Sequence, residues 1–310
     1  MRLPPYAALC AAAALWGTNP VLARLVGDAV PPITLSWLRW LAVLCLAAPL
    51  VWPVRREIAA ALRRDWRVLV PLAALANVPQ SALIYKGLET TTAINVGLLN
   101  SSIPVLIVLL GALFFARPAV PREAVGIATS LAGVLTVLFE GSLSRALSLS
   151  LNRGDLLAFG GMLTWALYTL LLPRRPAMPL LVFVFCMSAI GVALGAPAVI
   201  AELVLDRVPR LEGAAVPAIL LIAIGPTLCG TLAFSYGAER VGPVHAGVFI
   251  HLMPVSASAL AIAVLGERLH PYHFAGFALV LIGALLAIDL PRLLSSPPRR
   301  SPQTTGPSHG

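Results

Sequence analysis

Trp16 and Asn19 stand three residues apart in an apolar run, and Trp165 and Tyr168 repeat that spacing at an offset of 149 residues. Residues at i and i+3 share a helix face, so each pair offers a ring for stacking beside a polar group that can hydrogen-bond one ligand. Asn77, Gln80 and Tyr85 place further polar groups in a third apolar run, and Asn100 and Ser101 do so in a fourth, just before Pro104. In the matching run of the second half His251 precedes Pro254. His251 lies about 14 Å into its run at 1.5 Å per residue, close to the middle of a hydrocarbon core about 30 Å thick. An ionisable side chain at that depth favours an aqueous path, as a substrate hydrogen-bonder or a proton carrier. The alternatives are packing or interface anchoring for the aromatics, and interhelical hydrogen bonding for the amides, Tyr85 and a neutral His251.

Pro104 and Pro254 are expected to bend their helices. A proline within a helix removes a donor and crowds the carbonyl four residues earlier, here that of Asn100 and of Ile250. Backbone opened in this way is tolerated in a membrane where it lines a binding cavity, so the two prolines are read as gating positions.

The elements holding these residues are membrane spans. The chain is 310 residues long, 59% hydrophobic and only 11% charged, with a mean hydropathy of +0.90. Runs bounded by charge, Pro or Gly predict ten helices near 6–26, 33–53, 67–88, 92–115, 121–139, 154–173, 179–201, 214–237, 242–265 and 271–289. None shows the alternation of an outer-membrane barrel strand. The amino-terminal run resembles a signal peptide, but Leu9 is too large for the cleavage position before Cys10, so it is read as a retained first span. Cys10, Cys45, Cys186 and Cys229 lie in apolar runs without paired spacing, which supports neither disulfides nor a metal site.

Gly87, Glu89, Gly97, Pro104, Pro121, Gly126 and Gly133 recur as Gly237, Glu239, Gly247, Pro254, Pro271, Gly276 and Gly283. These types shape the backbone, so the chain is read as two related halves, residues 1–140 and 141–290, followed by a Pro- and Ser-rich tail at 291–310 expected to be disordered. Five spans per half is an odd number, so the second copy enters the membrane from the opposite side and the repeat is inverted. Of the 22 Lys and Arg residues, fourteen fall on the side of the termini, five on the other and three within spans. That asymmetry predicts cytoplasmic termini. The same distribution explains the net charge of +9 without a nucleic-acid partner.

Leu15-Trp16-Gly17-Thr18-Asn19, Ser36-Trp37-Leu38-Arg39-Trp40 after a Pro-Pro turn, and two Gly-rich copies with a central Pro resemble the EamA family of the drug/metabolite transporter superfamily. The second copy, with Gly266-Glu267-Arg268 in its loop, is the closer match; Ala116-Arg117-Pro118 departs from that pattern in the first. The resemblance implies a ten-helix inner-membrane carrier of small metabolites, often an exporter, with a cavity lined by helices 1, 3, 4, 6, 8 and 9.

Arg39, Arg24 and Lys86 within spans are read chiefly as a structural network on the side opposite the termini, with Asp28 and Glu89 as partners, and secondarily as an attraction for anionic substrate. Phosphate-loop and His-Glu-x-x-His motifs are absent, so ATP drive within the chain and metal hydrolysis are unsupported and no cofactor is expected. The first span has no Asp or Glu, which weakens a carboxylate-antiport scheme for cationic drugs. The expected function is secondary transport or facilitated export of a small polar or amphipathic metabolite such as an amino acid, by alternating access across the bacterial inner membrane. The expected partners are a small-molecule substrate and the bilayer, with proton coupling and oligomeric state open. Lipid or lipid-linked sugar translocation is the alternative. An intramembrane enzyme, with only His251 and Ser258 as a pair at helical spacing, is the reading of another class.

Overall fold

Where no water is at hand to satisfy backbone groups, a chain this apolar is confined to structures that bond internally. The computed structural model describes residues 4–114, 121–144, 152–205, 207–241 and 249–287, and among them every regular element is helical. The helices are α1 (Pro5–Leu25), α2 (Pro32–Val51), α3 (Arg55–Ala76), α4 (Val78–Gly87), α5 (Ala93–Asn100), α6 (Ile103–Phe114) and α7 (Pro121–Leu138) in the first half. The second half contributes α8 (Arg153–Leu171), α9 (Leu180–Val204), α10 (Ala215–Ile222), α11 (Thr231–Val241), α12 (Met253–Leu260) and α13 (Pro271–Ala287). Five described helical stretches are long and apolar enough to cross a bilayer, the longest being the 56 residues of Pro32–Gly87, and the bent pair α5 and α6 adds a sixth. The tail at 291–310, together with His245 and Gly247, lies outside the described residues.

The breaks fall where sequence weakens the helix ladder. Asn77, at φ −94° and ψ −100°, separates α3 from α4, which carries Pro79 in its first turn. At the corresponding place in the second half, the π-helical segment Ala223–Gly230 carries Pro226 and joins α10 to α11. The Thr227 hydroxyl donates to the Ile222 carbonyl five residues back at 2.8 Å, following the wider π turn. Pro104 and Pro254, the two prolines expected to gate, each sit at the start of a helix that follows a break. α5 and α6 diverge by 52° across Ser101 and Ser102, immediately before Pro104, and a 3-10 turn at Phe249–Leu252 precedes α12 and Pro254.

Helices of one half pack on helices of the other. α2 runs along α9, α4 along α8, α7 along α13, and α1 against both α11 and α12, while α5 meets α12 and α6 meets α8. The recurring glycines are the crossing points. A Cβ on Gly133 would lie 2.7 Å from the Gly276 carbonyl oxygen, and one on Gly283 would lie 2.5 Å from that of Gly126. The absent side chains let backbones approach, as packing between membrane helices requires when lipid is as apolar as the helices themselves. Leu50, Leu113, Phe114, Ile200 and Val204 are exposed on the exterior, an apolar surface suited to lipid. Gly191, in α9, packs on the Asn77 side chain.

Candidate functional site

The breaks surround a cavity, part of it continuous with solvent. Trp16, Asn19 and Pro20 of α1, Arg39 and Trp40 of α2, Gln80 of α4 and Asn100 of α5 line it from the first half. Trp165 of α8, Pro226 and Thr227 of the π segment, Thr231 of α11, and Ile250 and Met253 close it from the second. Trp16 packs on Phe234 with ring centroids 4.9 Å apart and Trp165 on Tyr168 at 5.0 Å. The two tryptophans read as counterparts thus face one space.

Other sequence candidates take supporting positions. The Tyr85 hydroxyl is buried and donates to Asn19 Oδ1 at 2.7 Å, so it braces a lining amide and is not itself among the lining residues. Asn77 turns away: its Nδ2 donates to the Met187 carbonyl at 2.5 Å, which is the interhelical role. The cause is the break itself, which points Asn77 at α9 where Gly191 leaves room. Ser101 is fully buried and its hydroxyl has no hydrogen-bond partner among the described residues, and Tyr168 stands behind Trp165. The backbone of His251 lies in the 3-10 turn beside the lining residue Ile250, while its side chain is outside the described residues.

Arg39 departs from its expected partners. It is 6% exposed and lines the cavity, where Nη1 donates to the Tyr85 hydroxyl at 3.1 Å and Nη2 to Ser81 Oγ. Ser81 and Tyr85 are four apart on α4 and so present both hydroxyls on one face. No described ion pair joins Arg39 to either carboxylate expected to pair with it, and Glu89 binds Lys86 and Arg207.

Polar ties between the halves gather at the end of the bundle carrying the α1 C-terminus. α2 starts at Pro32, after Pro31, and its first free amides, Ile33 and Thr34, donate to the Glu202 carboxylate of α9 at 3.2 and 2.8 Å. Glu267 does the same for α5, accepting from the Ala93 and Ile94 amides at 2.9 and 3.0 Å, with Arg24 3.6 Å away. Carboxylates at helix N-termini satisfy orphan donors and complement the helix dipole. Nearby, buried Asp155 accepts from Thr91 and Asn95, and His273 Nε2 meets Asn95 Oδ1 at 3.0 Å. Among the described residues the opposite end has fewer such ties, including Arg122 to the Leu285 carbonyl at 3.4 Å. Glu202, Asp155 and His273 were not singled out by the sequence. For α2 the signal was available, because a Pro-Pro start leaves free amides that need an acceptor.

The profile of the EamA-like transporter family matches this chain twice, over residues 3–139 and again over 152–288. The chain belongs to that family. Its relatives include the uncharacterized transporter YetK of Bacillus subtilis, 25% identical over 93% of this chain and 87% of that protein. YyaM of the same organism, also an uncharacterized transporter, is 27% identical over 69% of this chain and 70% of its own. The uncharacterized inner membrane transporter YedA of Escherichia coli is 25% identical over 92% of this chain and 90% of its own length. A solved crystal structure at 22% identity superposes with a TM-score of 0.62, covering 96% of this chain and all of the other; that likeness concerns the fold. As an EamA family member the chain is a multi-pass membrane protein, and the twofold match accords with the recurring glycines and prolines.

Proposed function

We propose that this EamA family member is a secondary transporter of the bacterial inner membrane that exports a small polar or amphipathic metabolite by alternating access. One observation carries the reading: the cavity lined by Trp16 and Trp165, the counterpart rings, is walled by both halves. Ten spans in two inverted repeats of five, with cytoplasmic termini, accommodate the helix path and the arginine asymmetry. Exchanging the halves carries the principal helix pairings onto one another: α4 with α8 becomes α11 with α1, and α6 with α8 becomes α12 with α1. That self-consistency supports a cycle in which the halves trade conformations.

In the described state the Glu202 and Glu267 ties hold the end bearing the α1 C-terminus closed. With cytoplasmic termini that end is periplasmic, and the cavity is then available to the cytoplasm. The breaks before Pro104 and Pro254 supply the bends on which each half opens. The cavity favours a soluble amphipathic substrate, with rings for an apolar body and Asn19, Gln80, Asn100 and Thr227 for polar groups.

Uptake and efflux in proteoliposomes against amino acids, nucleosides, organic cations and lipids, with and without a pH gradient, test the reading. Saturable movement of a soluble metabolite that stops when Trp16 and Trp165 are replaced by alanine supports it. Movement of lipid alone would support the lipid-translocase alternative. Reporter fusions placing Gly310 or the 55–67 segment outside the cell would overturn the orientation.

A further inference from the structure

Among the described residues lining the cavity, Arg39 is the one that bears a formal charge, and no Asp or Glu stands among them. An arginine within a membrane helix is costly unless it is paired or reaches an aqueous path, and no described ion pair gives Arg39 a carboxylate. Its guanidinium offers five N–H donors, and its two described hydrogen bonds end on the neutral hydroxyls of Ser81 and Tyr85. Among the described residues its Nε has no acceptor, and the indole Nε1 of Trp40 is a second buried donor without one. The guanidinium carbon lies 5.0 Å from the Trp40 ring centroid, so the unused donors belong to one cluster on the cavity wall.

We propose that Arg39, assisted by the Trp40 indole N–H, is the docking point for a carboxylate on the transported molecule, whose apolar body lies between Trp16 and Trp165. Resting on the transport reading above, this narrows the substrate class to organic anions and zwitterions that present a carboxylate, and excludes amines lacking one. A carboxylate supplies two acceptor oxygens and the missing counter-charge together, and charge-assisted hydrogen bonds are the strong ones. Ser81 and Tyr85 hold the guanidinium in place before substrate arrives, which limits the ordering that binding must supply.

Three probes sharing one body separate charge from shape: 3-phenylpropionate, 3-phenylpropan-1-ol and 3-phenylpropylamine, titrated against the purified full chain by tryptophan fluorescence. The acid is expected to bind at least tenfold tighter than the alcohol or the amine. Arg39→Gln should cost the acid at least tenfold and leave the alcohol unchanged, while Arg39→Lys keeps part of the acid's advantage. Equal affinity for the three probes, unchanged acid binding by Arg39→Gln, or no saturable binding of any probe overturns the proposal. Should Arg39→Gln not fold, Trp40→Phe removes one donor and keeps an aromatic ring. It should weaken the acid severalfold and spare the alcohol; equal losses overturn the assignment. Counterflow in proteoliposomes distinguishes the two readings. Acid that binds but is never moved defeats transport and leaves the site standing, whereas movement of the amine in place of the acid defeats the site and leaves transport standing.

Discussion

Gly87 of α4 and Gly154 of α8 face one another reciprocally: a Cβ added to either would collide with the other's carbonyl oxygen. The approach joins the halves beside the Thr90, Thr91 and Asn152 contacts, where Asn152 Nδ2 donates to the Thr90 carbonyl at 2.8 Å. Gly87→Ala should therefore destabilise the folded protein by about 1–3 kcal/mol, the usual cost of overpacking. Gly111→Ala is the control, since its Cβ would meet only the Leu170 side chain at 3.6 Å, an ordinary contact. Thermal unfolding in detergent should separate the two variants, and equal midpoints would remove the crossing from the list of structural determinants.

Asn77 and Trp16 were both candidates for substrate contact, and their surroundings now predict different defects. Asn77→Ala removes a donor from the buried Met187 carbonyl and should cost about 1–3 kcal/mol of stability. Transport per folded molecule should survive. Trp16→Ala should cut transport at least tenfold with a smaller stability loss. The comparison is transport normalised to folded protein by size-exclusion profile; the opposite pattern would return Asn77 to the site.

Glu267 holds the start of α5 through two backbone amides and adjoins Arg24. Glu267→Gln removes the negative charge from a helix N-terminus, an interaction worth about 1 kcal/mol. That is roughly a fivefold shift toward the state open at this end. A single cysteine at Gln80, in a background lacking Cys10, Cys45, Cys186 and Cys229, reports the change through maleimide labelling from each membrane face. Labelling from the Glu267 face should rise in Glu267→Gln; a fall or no change would dissociate this contact from gating.

His251 adjoins the cavity residue Ile250 in the 3-10 turn ahead of Pro254. His251→Ala should impair transport more than folding, and His251→Gln should retain activity if hydrogen bonding is the role. Initial rates of both variants across pH decide between hydrogen bonding and proton carriage. An unchanged pH profile in an active Gln variant excludes the proton, and wild-type kinetics in the Ala variant exclude the residue.

Composition and periodicity suffice for a helical membrane protein, and the glycine and proline matches mark where its halves cross and bend. Trp16, Asn19, Gln80, Asn100 and Trp165 were legible as cavity residues because an aromatic or amide inside an apolar run has few other uses. Arg39 was harder. Its depth is readable along the chain, but its direction depends on α4 presenting Ser81 and Tyr85 to α2, a contact spanning some forty residues of sequence. Glu202 and Glu267 pose the same problem, since each caps a helix more than 160 residues away. Helix caps are recognised from sequence only when the capping residue is local. Asn77 shows the converse failure, in which a polar residue of the expected type is consumed by a backbone carbonyl of a neighbouring helix.

The fixed positive charge of Arg39 also has a bearing on the cell's energetics. A monoanion that docks on an immobile cation and later departs leaves that cation behind, so a cycle without a co-transported ion moves one negative charge across the bilayer. A membrane potential of 100 mV, negative inside, favours outward movement of such an anion by about 2.3 kcal/mol, or roughly fiftyfold in concentration. For a monoanionic substrate a resting voltage of that sign would then be sufficient to set the direction of export, with neither nucleotide hydrolysis nor a proton gradient consumed at the transporter.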